Sequence, residues 1–148
     1  MNARDLVSGK VVAVTADEAV SRAAALMAAE DIGLIPVVDT PETMHLVGVL
    51  TDRDIAIRHV AHHDATDCTV GDHMTRAPLR TVRTDDHVHD VMGRMRHYQL
   101  RRMPVVDENH RLVGVVSQAD IALQVAGDEP REFERMMEGI SAHAAVPV

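Results

Sequence analysis

Apolar positions along this chain follow two rhythms, and the same order of rhythms occurs twice. Short continuous apolar runs of strand length stand at residues 34–38, 46–50, 103–106 and 112–116. Before each pair of runs, apolar residues recur at helical spacing: Val20, Ala23, Ala24 and Met27, then Val88, Val91, Met92 and Met95. Shorter runs at 11–14 and 79–82 predict a strand ahead of each helix. Residues 52 to about 60, and 118–125, predict a helix after each strand pair. The expected order is β-α-β-β-α, repeated.

Local signals punctuate that order. Thr15-Ala16-Asp17-Glu18 reads as a capping box opening the first helix, and Gly33 can take its left-handed C-cap. Ala23, Ala24, Ala25, Ala28 and Ala29 would let another backbone approach that helix closely, or they serve helix propensity alone. Residues 5–8 and 72–75 are too short for free-standing helices and are expected as turns. Residues 127–130 (Gly-Asp-Glu-Pro) break the chain, 132–139 predict one more helix, and 141–148 a loose tail.

Sliding the chain on itself by about 66 to 68 residues confirms a duplication. Val14-Thr15-Ala16-Asp17 meets Val82-Arg83-Thr84-Asp85, and Pro36-Val37-Val38-Asp39 meets Pro104-Val105-Val106-Asp107. The register then slips by two, because the loop at 40–45 is longer than the one at 108–111, as befits a surface hairpin. The expected boundaries are repeat 1 at 4–60, a polar linker at 61–70, repeat 2 at 71–126 and a C-terminal helix and tail at 127–148. Each repeat has an apolar face left over, which stacking about a pseudo-two-fold would bury.

The most informative stretch is Gly48-Val49-Leu50-Thr51-Asp52-Arg53-Asp54, with its copy Gly114-Val115-Val116-Ser117-Gln118-Ala119-Asp120. It reads as strand, tight turn, helix. Thr51 or Ser117 at an N-cap with Asp54 or Asp120 three residues on is a capping box, and that alone would account for both residue types. Gly48 and Gly114 weaken a strand and are usually kept where a ligand or another backbone comes close. Glycine, hydroxyl, helix N-terminus and carboxylate together also suit a nucleotide, with backbone N–H groups toward phosphate and the acid toward a ribose diol.

Composition narrows the field. A net charge of −8 has the wrong sign for a nucleic acid, and Tyr98 and Phe133, the only Tyr or Phe in a chain without Trp, offer no stacking platform for bases. One cysteine, Cys68, fits a reducing compartment. With no signal peptide or membrane-length apolar run, a cytoplasmic protein is expected. Catalysis has no triad, P-loop or carboxylate pair to rest on, so a non-enzyme is expected.

A tandem β-α-β-β-α repeat, with a hydrophobic-Pro-Val strand and a Gly-x-x-Thr/Ser-x-x-Asp turn in each copy, resembles a CBS-domain pair, the Bateman module, over residues 4 to 126. The resemblance implies an α+β fold of two repeats packed as one pair. It also implies a regulatory protein binding an adenosine-containing ligand (AMP, ADP, ATP or S-adenosylmethionine) in inter-repeat clefts, as a homodimer of pairs signalling to a protein partner. By the family pattern Asp54 and Asp120 would hold ribose, Thr51 and Ser117 would touch phosphate, and Gly48 and Gly114 would leave room for the adenosine. Ile35, Pro36, Met103 and Pro104 would flank adenine, with Arg101 and Arg102 as phosphate partners. Arg53 and Arg58 could assist in repeat 1, but Asp52 adds a negative charge there, which favours the second motif. The chain has no room for a catalytic domain and looks like a stand-alone pair with no fixed cofactor.

A different class of reading is a ligand-free or metal-binding stress or interaction dimer. His59, His62, His63, Cys68 and His73 gather around the linker with zinc-type ligands, yet no pair has the spacing of a structural zinc motif. On sequence, a solvated linker without metal stands ahead.

Overall fold

A computed structural model describes residues 1–7, 9–62, 67–125, 127 and 130–142. The elements in chain order are α1 (Ala3–Leu6), β1 (Val14–Thr15), α2 (Val20–Glu30), β2 (Leu34–Val38), β3 (Leu46–Thr51) and α3 (Asp52–Asp54), which runs on as a π-helix (Ile55–Val60). After the linker come α4 (Val70–His73), β4 (Thr75–Arg76), β5 (Val82–Arg83), α5 (Val88–Tyr98), β6 (Arg102–Val106), β7 (Leu112–Ser117), α6 (Gln118–Val125) and α7 (Pro130–Ala142). The class is α+β with two small sheets, as the repeated pattern predicts.

The elements form two compact units. One holds Val12–Leu79 with Asn109–Leu112 and is the unit of repeat 1; the other holds Met1–Val11, Arg80–Glu108 and Val113–Val148 and is the unit of repeat 2. In the first, the sheet order is β1-β2-β3-β4. β1 runs parallel to β2, and β2/β3 and β3/β4 are antiparallel. In the second the order is β5-β6-β7, with β5 parallel to β6. Burial alternates along β3 and β7: Leu46, Gly48 and Leu50 face inward in one, Leu112, Gly114 and Val116 in the other. The core of the repeat-1 unit is built on Val14, Ala23, Met27, Ile35, Val37, Leu50 and Val70. That of the repeat-2 unit is built on Leu6, Val82, Val91, Met92, Met95, Met103, Val116, Ile121 and Met136.

Each repeat gives its opening segment to the other repeat's unit. Residues expected as a turn at 5–8 form the one-turn helix α1, closed by an Asn2/Asp5 capping box, and Ala3 and Leu6 are buried in the repeat-2 core; Ser8 lies outside the described residues. Ala3 N–H donates to the Asp86 carbonyl and Val88 N–H to the Met1 carbonyl. The matching segment, expected at 72–75, is α4 with its Thr69/Asp72 box, and it enters the repeat-1 unit. There Val20 N–H donates to the Cys68 carbonyl and Gly71 N–H to the Ala16 carbonyl.

Other differences are local. The strands expected at 11–14 and 79–82 begin later and are two residues each, because only Val14 and Val82 of those runs reach the core. Thr15 and Glu18 do pair, Thr15 N–H to Glu18 Oε2 at 2.7 Å, but they close the turn ahead of α2, whose N-cap is Ala19. The left-handed C-cap is Asp31 (φ 53°) rather than Gly33. Asp tolerates that conformation, and Gly33 instead offers its carbonyl to the Asp52 N–H at 3.0 Å. The helix expected at 132–139 runs from Pro130 to Ala142, packed on α5 and α6. Residues 143–148 of the expected tail, and 63–66 of the expected linker, lie outside the described residues.

Candidate functional site

The two duplicated turns are built from the same bonds. Thr51 is in extended conformation at the end of β3, and its hydroxyl accepts from the Asp54 N–H at 3.0 Å while Asp54 Oδ2 accepts from the Thr51 N–H at 3.0 Å. In the other turn Ser117 Oγ accepts from the Asp120 N–H at 3.1 Å, and Asp120 Oδ2 accepts from both the Ser117 N–H (2.7 Å) and the Ser117 hydroxyl (2.6 Å). The first helical N–H is taken as well. Asp52 donates to Gly33, and Gln118 donates to the Arg101 carbonyl at 2.9 Å, so each turn is tied to the residue leading into the neighbouring strand. Asp54 and Asp120 are half-buried at the head of their helices, with one carboxylate oxygen committed to the cap.

The glycines of the motif have a packing cause. A Cβ on Gly48 would lie 2.8 Å from Met74 Sδ and 3.0 Å from the Thr75 carbonyl, because β4 pairs there. On Gly114 it would lie 2.3 Å from a methyl of Val7. At both glycines the near neighbour belongs to the segment entering from the other repeat. Ile35, Pro36, Met103 and Pro104 are buried, Ile35 and Met103 wholly so within the core of their own units. Arg101 and Arg102 are exposed beside the second turn. Arg58, expected to assist phosphate, is engaged elsewhere: Nε is 3.6 Å from Asp54 Oδ1, and Nη1 donates to the His73 carbonyl at 3.1 Å.

A second constellation comes together in the repeat-1 unit. His59, near the end of the π-helix, presents Nδ1 at 3.1 Å from Nε2 of His73, the last residue of α4. The rings meet edge to face with centroids 4.9 Å apart. With Cys68 they form a group whose ligand atoms all lie within 4.8 Å of one another. His73 is 6% exposed, the one buried polar residue among those described, while His59 and Cys68 are half-buried. Backbone bonds from 16–20 to 68–71 fix Cys68 and α4, and the π-turn carries His59 to meet them. His62 is exposed and outside the group, and His63 lies outside the described residues.

The donor set fits zinc. One thiolate and two imidazoles are ligands of the structural and catalytic zinc classes, and two nitrogens on one tetrahedral ion lie about 3.3 Å apart, close to the spacing of His59 and His73. Sequence spacing could not have found this cluster, because the fold rather than a local motif closes it; residue type near the linker was the only signal. A shallow hollow of about 350 Å³ lined by Glu42, Thr43, His45, Asn109 and Arg111 contains none of the expected site residues.

A duplicated α+β unit with a capped Gly-x-x-Thr/Ser-x-x-Asp turn in each half defines a class of two-repeat module. The family model for the CBS domain matches twice, at residues 3–59 and 70–127, and the chain belongs to that family as a CBS pair. It is 37% identical over 121 residues to Hypoxic response protein 1 of Mycobacterium tuberculosis, covering 81% of this chain and 82% of that one. It is similar in fold to a crystal structure of Hypoxic Response Protein I with two coordinated zinc ions (TM-score 0.74, 34% identity, 84% of this chain and 99% of that one). It is likewise similar to the CBS domain pair of protein MJ0100 in complex with 5-methylthioadenosine and S-adenosyl-L-methionine (TM-score 0.73, 30% identity, 86% and 97%). No helix among the described residues is long and apolar enough to cross a membrane.

Proposed function

We propose that this chain is a non-enzymatic regulatory CBS-pair protein that holds a zinc ion through His59, Cys68 and His73. The observation carrying the reading is the convergence of three zinc-type ligand atoms from the π-helix, the linker and α4 within 4.8 Å. The zinc in a solved relative that is 34% identical supports it. The ion would supply a tie between the π-helix and α4, fastening to repeat 1 the segment that begins repeat 2. The test is cobalt(II) substitution followed by visible absorption. The expected result is a thiolate-to-cobalt charge-transfer band that zinc abolishes and that Cys68→Ser lacks. An unchanged spectrum in Cys68→Ser, or no binding at all, sinks the reading.

The duplicated turns support a second ligand class on their own observation: the same hydroxyl and carboxylate at the head of a helix in both repeats. An adenosine-containing ligand (AMP, ADP, ATP or S-adenosylmethionine) would meet Asp54 and Asp120 at its ribose, Thr51 and Ser117 at phosphate, and Arg101 and Arg102 as counter-charges. Backbone of Ile35-Pro36 and Met103-Pro104 would lie beside the base, since the Ile35 and Met103 side chains are committed to the cores. The adenosyl ligands of the MJ0100 pair support this reading. Signalling would follow from differential affinity for two shapes of a homodimer, passed to a protein partner. A ligand at about 100 times its Kd adds roughly 2.7 kcal/mol to stability, an upward shift of several degrees. A flat thermal-shift series across the four ligands would remove this class and leave zinc.

A further inference from the structure

One side chain joins the two candidate sites of repeat 1. Arg58 stands four residues after Asp54 and immediately before His59. Its Nε lies 3.6 Å from Asp54 Oδ1, and its Nη1 donates at 3.1 Å to the backbone carbonyl of His73. The His73 ring in turn faces His59 at 3.1 Å. α4, which carries His73, is four residues long and cannot hold its own geometry; its position comes from bonds to neighbouring segments. The Arg58 guanidinium is one of those bonds, at the residue whose ring belongs to the cluster.

We infer that Arg58 is the positioning residue of the His59/Cys68/His73 metal cluster and that Asp54 sets its hold, so that the acidic turn and the metal are linked. This rests on the zinc reading above. Asp54 aims the guanidinium and balances its charge; the guanidinium holds the His73 backbone so that its ring meets His59. Loss of the Asp54 charge then acts against a dication twice, by loosening His73 and by leaving an unbalanced cation beside the site. Anything that engages the Asp54 carboxylate, such as a ribose diol at this turn, alters metal affinity, and by linkage the metal alters affinity at the turn by the same factor. Repeat 2 has the same turn without the link, since Gln124 stands four residues after Asp120.

The test is zinc affinity of the full chain, measured by competition with a chromogenic chelator, for wild type, Asp54→Asn, Asp120→Asn, Arg58→Met, Arg58→Lys and Asp54→Asn/Arg58→Met. Asn keeps a cap acceptor and removes the charge, and Asp120→Asn makes the same change where no arginine follows. The partners of metal ligands typically matter 10–100-fold in affinity. Because Arg58 grips a backbone rather than a ring, the expected loss is at the lower end, about tenfold, for both Asp54→Asn and Arg58→Met. Asp120→Asn should bind as wild type, the double variant no worse than Arg58→Met, and Arg58→Lys between wild type and Arg58→Met. If Asp54→Asn and Asp120→Asn behave alike, or if the Asp54 effect persists undiminished in the Arg58→Met background, the inference is overturned while zinc binding stands. If wild type takes up no zinc, or takes it up without Cys68, the zinc reading fails and the inference falls with it.

Discussion

The turn after β3 and the turn after β7 close with the same backbone-to-carboxylate and backbone-to-hydroxyl bonds, and they differ in what each helix goes on to meet. After Asp54 the chain becomes a π-helix that brings Arg58 and His59 to His73. After Asp120 it stays α-helical, and α7 then packs on α5 and α6. Duplication supplied one capped turn twice; the residues beyond it have diverged, one copy toward a donor cluster and the other toward a larger core. A motif shared by two repeats therefore says little about whether both do the same work.

The largest break in that comparison is at α7. Met136 is 1% exposed in the repeat-2 core, and among the described residues of the repeat-1 unit no helix corresponds to the one that carries it. Met136→Ala should cost about 2–5 kcal/mol, the range for emptying a packed site, seen as a lower urea midpoint. A loss below about 1 kcal/mol would make α7 an appendage and the two units more alike than described.

The strand glycines give the next effect, and they separate the units by what a Cβ would hit. Gly48→Ala meets a backbone carbonyl at Thr75 as well as Met74, whereas the three atoms nearest a Cβ on Gly114 all belong to the Val7 side chain. Each should destabilise by about 1–3 kcal/mol. Val7→Ala should recover most of the Gly114→Ala loss in the double variant, while Met74→Ala should recover little of the Gly48→Ala loss, because the carbonyl remains. Equal rescue at both sites would mean that β4 can shift and that Gly48 is not pinned by backbone.

The order of rescue also marks what could be read from sequence. Period and repetition carried the strands, the two long helices, the duplication and the capped turns, because each depends on residues a few positions apart. The glycines pointed to a close approach, but which segment approaches was hidden, since Val7 and Met74 arrive from the opening of the opposite repeat. Exchange of α1 and α4 leaves no periodic trace: a one-turn helix is too short to have a face. Residue type places His59, His62, His63, Cys68 and His73 near the linker, but no zinc spacing singles out the three that meet, because closure of the His59/Cys68/His73 cluster needs the π-turn and α4 together. Asp31 takes the left-handed cap of α2 where Gly33 is expected, and Gln99 takes the same conformation at the end of α5.

A smaller effect tests the turns themselves. Asp54→Ala and Asp120→Ala each remove a capping box and should each cost about 1 kcal/mol in urea unfolding. The Asp54–Arg58 pair should add little to the first, since Arg58 is about half exposed and such pairs are screened. A loss several times greater at Asp54 than at Asp120 would mean that the arginine link supports the fold as well as the cluster.

The smallest effect concerns the hairpin loops. Asp39 accepts from the Thr43 hydroxyl at 2.6 Å and from the Thr40 and His45 N–H groups at 2.7 and 2.9 Å. The Thr43 hydroxyl first, then the two backbone donors, hold its carboxyl down to about 2, from an ordinary 3.8. Because the folded value is the lower one, the ionised loop contributes fully above about pH 4 and its contribution is lost as pH falls from 3.8 toward 2. The loop after β6 is two residues shorter, Glu108-Asn109-His110-Arg111, and has no threonine to repeat the arrangement. An NMR titration should therefore find the Thr40 and His45 amide signals moving near pH 2 in wild type. In Thr43→Val they should move nearer the ordinary carboxylate range, since the largest cause is gone. A Thr43→Val titration unchanged from wild type would assign the depression to the backbone N–H groups, and the longer loop would then differ from its shorter counterpart in length alone.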